Sequence, residues 1–166
     1  MPAQNVKGLC ETTKTKLHEA IKQMEHYLNN VHLPALNPER SEEMDAFYKG
    51  FLSDLRHLLV FSEVAYEKLG VQLRRPALNE EQAEKALYDT YQTSVNTFFY
   101  PRNECYSEDG RYAYTGQDAI RFRKKPNREL RDLVLGLSKT FEELREDLSY
   151  YENDYLTQRR MQGEKL

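Results

Sequence analysis

The 166-residue sequence has little that would indicate a secreted or membrane protein. Its cysteines are Cys10 and Cys105, and neither belongs to a C-x-x-C pair, which fits a reducing compartment and requires no disulfide framework. The N-terminus lacks the apolar run of a signal peptide, and no apolar run reaches the roughly 18 residues of a membrane span. These absences predict a cytoplasmic protein that does not enter the membrane.

The sequence also lacks the patterns that usually accompany catalysis or cofactor binding. No phosphate-loop, dinucleotide-binding, nucleophile-elbow or zinc-protease motif occurs. No histidine has a glutamate three residues before it, as a two-metal site inside a helical bundle would require. We therefore expect no metal, no cofactor and no catalytic residue.

The charge balance excludes a strongly basic protein, because the formal net charge is −3. No overall field attracts the chain to nucleic acid or to anionic lipid. The composition, with 39% hydrophobic and 31% charged residues, suits amphipathic helices that bury one stripe each.

Apolar residues recurring at threes and fours predict four helices. Asn79 and Asn127 stand where N-caps belong, and Gly70 stands where a left-handed C-terminal cap belongs. The apolar residues of the fourth predicted helix have the most regular pattern, with spacings of three and four that alternate after Val134. The expected helices cover residues 5–31, 41–69, 79–99 and 127–160.

The short connections between these helices predict a mainly α fold, an up-and-down four-helix bundle forming a single domain over residues 1–166. Residues 102–125 interrupt the pattern and read as a small antiparallel β-hairpin insertion between helices 3 and 4. The expected fourth helix is about 50 Å long and the third only about 32 Å, so we expect the insertion to cover an apolar end that the third helix leaves bare.

Residues 102–125 alternate as strands do. Asp109 and Gly110 form the commonest signal for a tight hairpin turn. Ile120 and Phe122 share one face, while Arg121 and Arg123 share the other. We predict two or three short strands with the Tyr/Ile/Phe face on the bundle and the arginine face outward.

The outer face of the insertion is the candidate binding surface. We expect it to bind a protein partner, together with the neighbouring tyrosine-rich end of the bundle at residues 149–155. The alternative interpretation is a solvated charged face that keeps an edge strand from pairing with other chains. The residues nominated for partner binding are Arg111, Tyr112, Tyr114, Arg121, Arg123 and Lys124.

Two other functions are open for the same region. Cations beside aromatic rings also suit weak single-stranded nucleic-acid binding, which the acidic balance of the chain makes the less favoured interpretation. An enzyme would need a pocket between the insertion and the helices. Cys105 lies near Arg102 and Arg111, which could lower the pKa of its thiol, although a catalytic cysteine would also need a histidine.

The stretches AYTGQDAIRFR (113–123) and LREDLSYYENDYLTQ (144–158) resemble the YpuI-like family of small uncharacterised proteins from Gram-positive, mostly spore-forming bacteria. The resemblance covers most of the chain and is densest over residues 98–156. It implies a bacterial cytoplasmic setting and brings no activity, cofactor or binding residue. The sequence thus predicts a non-enzymatic interaction protein, with self-association through the fourth helix as a further possibility.

Overall fold

The computed structural model describes residues 5–108 and 120–163, and this part of the chain is mainly helical with a small two-stranded antiparallel sheet. A π-helical turn, Tyr91–Val95, joins the fourth and fifth helices, and a 3₁₀ turn, Ser149–Tyr151, precedes the last one. The elements are α1 (Val6–Asn30), α2 (Leu33–Leu36), α3 (Glu42–Leu73), α4 (Glu80–Thr90), α5 (Asn96–Phe99), β1 (Tyr106–Glu108), β2 (Ile120–Phe122), α6 (Arg128–Asp147) and α7 (Asp154–Met161).

The core lies between the long helices. Helix α1 packs against α3, α4 and α6, and α3 also packs against α4. Their apolar stripes meet in one buried cluster, so the predicted helical periodicity is confirmed, while the up-and-down order of the bundle stays a prediction. Fully buried members of this cluster include Leu17, Met24, Phe51, Leu87 and Phe141.

The predicted starts of two helices are confirmed by their caps. The side-chain oxygen of Asn79 accepts a hydrogen bond from the backbone N–H of Gln82. Asn127 accepts from the N–H groups of Glu129 and Leu130 in the same way. Each cap satisfies donors that have no partner within their helix.

The predicted helix end at Gly70 is wrong, because α3 continues to Leu73 and the N–H of Arg74 donates to the carbonyl of Gly70. Gly70 is buried, and a Cβ at this position would lie 3.3 Å from Cε of Lys14 on α1. The glycine therefore leaves room for the ends of the Lys14 and Arg74 side chains and makes no left-handed turn.

The fourth predicted helix is broken. Helix α6 ends at Asp147, and the chain makes a 3₁₀ turn before α7 begins at Asp154. Nε2 of Gln92 donates to the carbonyls of Tyr151 and Glu152, which the break leaves without helical partners.

The break removes the length argument for the insertion. Helix α6 has 20 residues, and the three helical segments over 80–99 have 11, 5 and 4. Helix α6 and the helical run over residues 80–99 therefore each extend about 30 Å. The expectation that a longer fourth helix has a bare end is wrong.

The two strands pair as predicted. Tyr106, Ser107 and Glu108 lie opposite Phe122, Arg121 and Ile120. Ile120 and Phe122 pack partly buried against the core, whereas Arg121 is exposed. The predicted turn at Asp109–Gly110 and a third strand lie outside the described residues.

Candidate binding groove

The loop before β1 is fixed to α3 by a buried carboxylate. Asp54 is only 6% exposed and accepts hydrogen bonds from the backbone N–H of Asn103 (2.9 Å) and from its Nδ2 (2.8 Å). Nδ2 of Asn103 also donates to the carbonyl of Gly50 at 3.2 Å. A Cβ at Gly50 would lie 3.1 Å from Cβ of Asn103, so the missing side chain lets the loop lie close to the helix.

The start of β1 is anchored in the core. Tyr106 is buried, and its hydroxyl donates to the carbonyl of Phe98 at 2.7 Å. Cys105 is also buried, and its thiol donates to the carbonyl of Phe47. Burial raises the pKa of this thiol to about 11, although the charge of Arg123 opposes the shift. The expectation that neighbouring arginines lower this pKa is therefore wrong, because desolvation outweighs them.

Ion pairs attach the strands to two further helical sites. The guanidinium of Arg145 on α6 donates to both carboxylate oxygens of Glu108, at 3.0 and 2.7 Å. The same guanidinium lies 3.9 Å from the ring centroid of Phe99. Lys124, just after β2, pairs with Glu43 in the first turn of α3. The sheet is thus held against α3, α5 and α6.

A groove of about 850 Å³ lies between the loop that follows α5 and the paired strands. Tyr100 is 78% exposed at this groove, and Arg102, Arg121 and Arg123 are exposed as well. The groove therefore combines an apolar floor with cationic walls. Its lining residues are Phe99, Tyr100, Pro101, Arg102, Glu104, Tyr106, Ser107, Arg121, Phe122 and Arg123.

The charge in the groove favours an anionic ligand, because three arginines line it and Glu104 is the one acidic residue among the described residues of its lining. Nη1 of Arg123 donates to the carbonyl of Asn103 at 3.3 Å, which orients that side chain. Arg121 has no hydrogen-bond or ion-pair partner within the part of the chain that the structure describes. Guanidinium groups match the geometry of carboxylates and phosphates.

The structure divides the residues nominated from the sequence. Arg121 and Arg123 line the groove, whereas Lys124 lies outside it and is paired with Glu43. The other three nominated residues, Arg111, Tyr112 and Tyr114, lie outside the described residues.

Sequence reasoning did not nominate Tyr100 and Arg102 as binding residues. The available signal was Pro101, because the residue before a proline leaves the helical region and the next residues begin a loop. Tyr100 indeed has a backbone φ of −128° at the end of α5.

The tyrosine-rich end of the bundle is mainly a packing feature. The rings of Tyr88, Tyr150, Tyr151 and Tyr155 contact one another, with centroids 5.1 to 6.2 Å apart. Tyr151 and Tyr155 are each only 2% exposed, so they offer almost no surface to a partner. Burial raises the pKa of the Tyr151 hydroxyl.

A small cavity lies between the described part of the insertion and the helices. The cavity beside Asp54 and Tyr106 measures about 10 Å³, which is too small for a substrate. Over residues 5–108 and 120–163, no three His, Cys, Asp or Glu side chains come together in a way that could hold a metal ion. In these ranges, every helix is too short or too polar to pass through a lipid bilayer.

Comparison with known proteins shows the family of this chain. The model of the family described as "Protein of unknown function (DUF3907)" matches residues 10–157, which include the groove and all the contacts that fix it. The chain belongs to this family. It is 33% identical over 151 residues to the uncharacterised protein YpuI of Bacillus subtilis (strain 168), a match that covers 89% of this chain and 82% of YpuI. These matches confirm the resemblance seen in the sequence. No solved structure was found to match the chain.

Proposed function

We propose that this member of the DUF3907 family is a non-enzymatic, cytoplasmic binding protein that holds a protein partner in the arginine-lined groove. In this proposal, residues 102–125 are an insertion on a single up-and-down four-helix domain. The observation that carries it is an open, cationic groove of about 850 Å³ whose walls are tied to three helices.

The fixed walls support binding because a preorganised surface loses little conformational entropy when a ligand arrives. Hydrogen bonds to Asp54, Phe98 and Arg145 hold the loop and the first strand before any partner is present. Arginine and tyrosine, which supply four of the exposed residues of the groove, are also enriched at the centres of protein interfaces.

Single-stranded nucleic acid is the second candidate, since Tyr100 could stack on a base and the arginines could contact phosphates. The cationic area is small, however, because Glu43 neutralises Lys124 and Glu104 lies in the groove. Binders of nucleic acid usually present a broad basic face. These features favour a protein partner.

The test is affinity purification with mass spectrometry from cells of the protein's own species. One variant replaces Arg111, Arg121, Arg123 and Lys124 with alanine. A control with the same change of charge replaces Lys125, Arg128, Arg131 and Lys139, which are all exposed. We expect the first variant to lose a partner that the wild type and the control retain. If every co-purifying protein stays bound to the first variant, the proposal is wrong.

A second tag on a co-expressed copy of the chain separates self-association from a foreign partner. Recovery of the copy with the second tag by the wild type but not by the first variant would identify the partner as a second copy of this chain. Nuclease treatment of the purified sample tests whether nucleic acid bridges the protein and its partner. A partner that is held only through nucleic acid would be released by this treatment.

A further inference from the structure

The arginines of β2 have a defined spacing. Residues alternate along this strand: Arg121 and Arg123 are exposed, and Phe122 is partly buried between them. The alternation is fixed by pairing, because Arg121 lies opposite Ser107 and the N–H of Arg123 donates to the carbonyl of Cys105 at 2.9 Å. A strand rises about 3.3 Å per residue, so the two arginines leave the sheet about 6.6 Å apart.

The same spacing occurs in an extended peptide. Side chains at positions i and i+2 of an extended segment lie on one face, again about 6.6 Å apart. Two carboxylates at such positions can each meet one arginine of β2. Carboxylates on neighbouring residues of such a segment point to opposite faces, so that arrangement does not match the strand.

The opposite wall supplies further contacts. Arg102 faces the groove from the loop after α5, and the exposed ring of Tyr100 stands beside the apolar floor at Phe99. An apolar residue of the ligand has a place to pack there. Within the described part of the lining, Glu104 is the one residue that would repel a carboxylate, and it therefore limits how far an acidic segment extends.

We propose, building on the binding function above, that the groove takes an extended acidic segment of a protein partner with Asp or Glu at alternate positions. The carboxylates pair with Arg121 and Arg123, and an apolar side chain of the segment packs at Tyr100. A protein segment fits better than a nucleic-acid strand because, among the described residues, Lys124 beside the groove is paired with Glu43 and Glu104 lies in the groove lining.

The test uses two labelled peptides of equal composition and fluorescence anisotropy with the whole protein. One peptide has two glutamates at alternate positions around a phenylalanine, and the other has the two glutamates at neighbouring positions beside the same phenylalanine. We expect the alternating peptide to bind about threefold more tightly, because it forms one more exposed arginine–carboxylate pair than the other peptide. Equal binding of the two peptides, or no binding of either at about 1 mM, would overturn the inference.

Two variants of the protein assign the effect to the groove. Arg121→Ala with Arg123→Ala should abolish the preference for the alternating peptide, whereas Lys125→Ala with Arg131→Ala, which removes two exposed positive charges outside the groove, should keep it. Both pairs are exposed, so folding can be checked by circular dichroism without a large expected change. A preference that survives the first pair counts against the inference.

A third variant and a competitor complete the test. Glu104→Gln should tighten binding of the alternating peptide about two- to threefold, since it removes the repulsive carboxylate. Oligothymidylate that binds through Arg121 and Arg123 more tightly than either peptide would assign the groove to nucleic acid instead.

The two proposals fail differently. The binding function fails if the four-alanine variant keeps every partner. The inference alone fails if that variant loses its partner while the two peptides bind equally, because the partner would then use the surface without an extended acidic segment.

Discussion

Asp54 is the side chain on which the position of the groove depends most strongly. Its carboxylate is buried in α3 and binds two separate N–H groups of Asn103. In the variant Asp54→Ala, the backbone N–H of Asn103 loses its acceptors, while Nδ2 keeps only the carbonyl of Gly50. Hydrogen bonds to a charged group contribute about 1.5–3 kcal/mol each, so we expect the free energy of unfolding to fall by about 3–4 kcal/mol.

Thermal and urea denaturation followed by circular dichroism measure this loss. For a chain of this size it corresponds to a fall in melting temperature of about 10 °C. Hydrogen exchange gives the local result: the amide of Asn103 should exchange much faster in the variant. Asp54→Asn keeps one acceptor oxygen and should lose about half as much stability. The matched control is Glu63→Ala, an exposed change on the same helix with an expected effect within about 0.5 kcal/mol.

The reasoning is refuted if Asp54→Ala costs less than about 1 kcal/mol, or if the Asn103 amide stays protected in the variant. Either result would show that the loop is held by its apolar contacts alone. The groove would then not depend on the buried carboxylate.

Two further predictions concern glycines and thiols. Gly50→Ala should lower the free energy of unfolding by about 1 kcal/mol, because the new Cβ meets Cβ of Asn103 at 3.1 Å. Gly136→Ala should raise the free energy of unfolding by about 0.5–1 kcal/mol, because only the flexible end of Gln23 lies near the new Cβ, at 3.3 Å. Urea denaturation measures both, and a change of the same sign in the two variants contradicts the packing argument. Burial raises the pKa of Cys10 and of Cys105 from 9.0 to about 11, so unfolded thiols lose their protons first and stability falls as the pH rises above 9. Between about pH 8 and pH 10 the two thiols together should cost about 2.7 kcal/mol of stability, and replacing both with alanine should remove this part of the loss. An unchanged loss in the double variant would show that the thiols titrate normally when folded.

The sequence predicts helix starts well because the determining contacts are local. Asn79 and Asn127 each bond to N–H groups two or three residues ahead, and both features are visible in the sequence. The alternation of Ile120 and Phe122 with their arginine neighbours is equally local, and the strand at 120–122 follows from it.

The sequence could not predict the break in the fourth helix. Leu148, Tyr151 and Tyr155 keep the spacing of three and four, and all three are buried. A 3₁₀ turn followed by a new helix can point the same residues inward, so apolar spacing alone does not distinguish a broken helix from a continuous one. The compensating contacts come from Gln92, 59 residues away from Tyr151 along the chain.

The candidate site was predicted only in part for a similar reason. Arg121 and Arg123 follow from strand alternation, but the wall opposite them depends on Asp54 and Asn103, which are 49 residues apart in sequence. A lone aspartate on a helix does not indicate which loop it binds. Gly50 has the same ambiguity as Gly70: sequence alone does not show whether a glycine ends a helix or allows a close contact.

The residues that fix the groove differ from those proposed to contact the ligand, and this separates stability from binding. Asp54 and Gly50 are covered by the loop, while Arg121 is exposed and has no partner among the described residues. Asp54→Ala should therefore lower stability and weaken binding of the alternating peptide together, because it frees the wall opposite β2. Arg121→Ala should weaken binding and leave the melting temperature almost unchanged. If both variants lost stability to the same extent, Arg121 would belong to the packing of the insertion, and the groove would lose the residue that best supports its role in recognition.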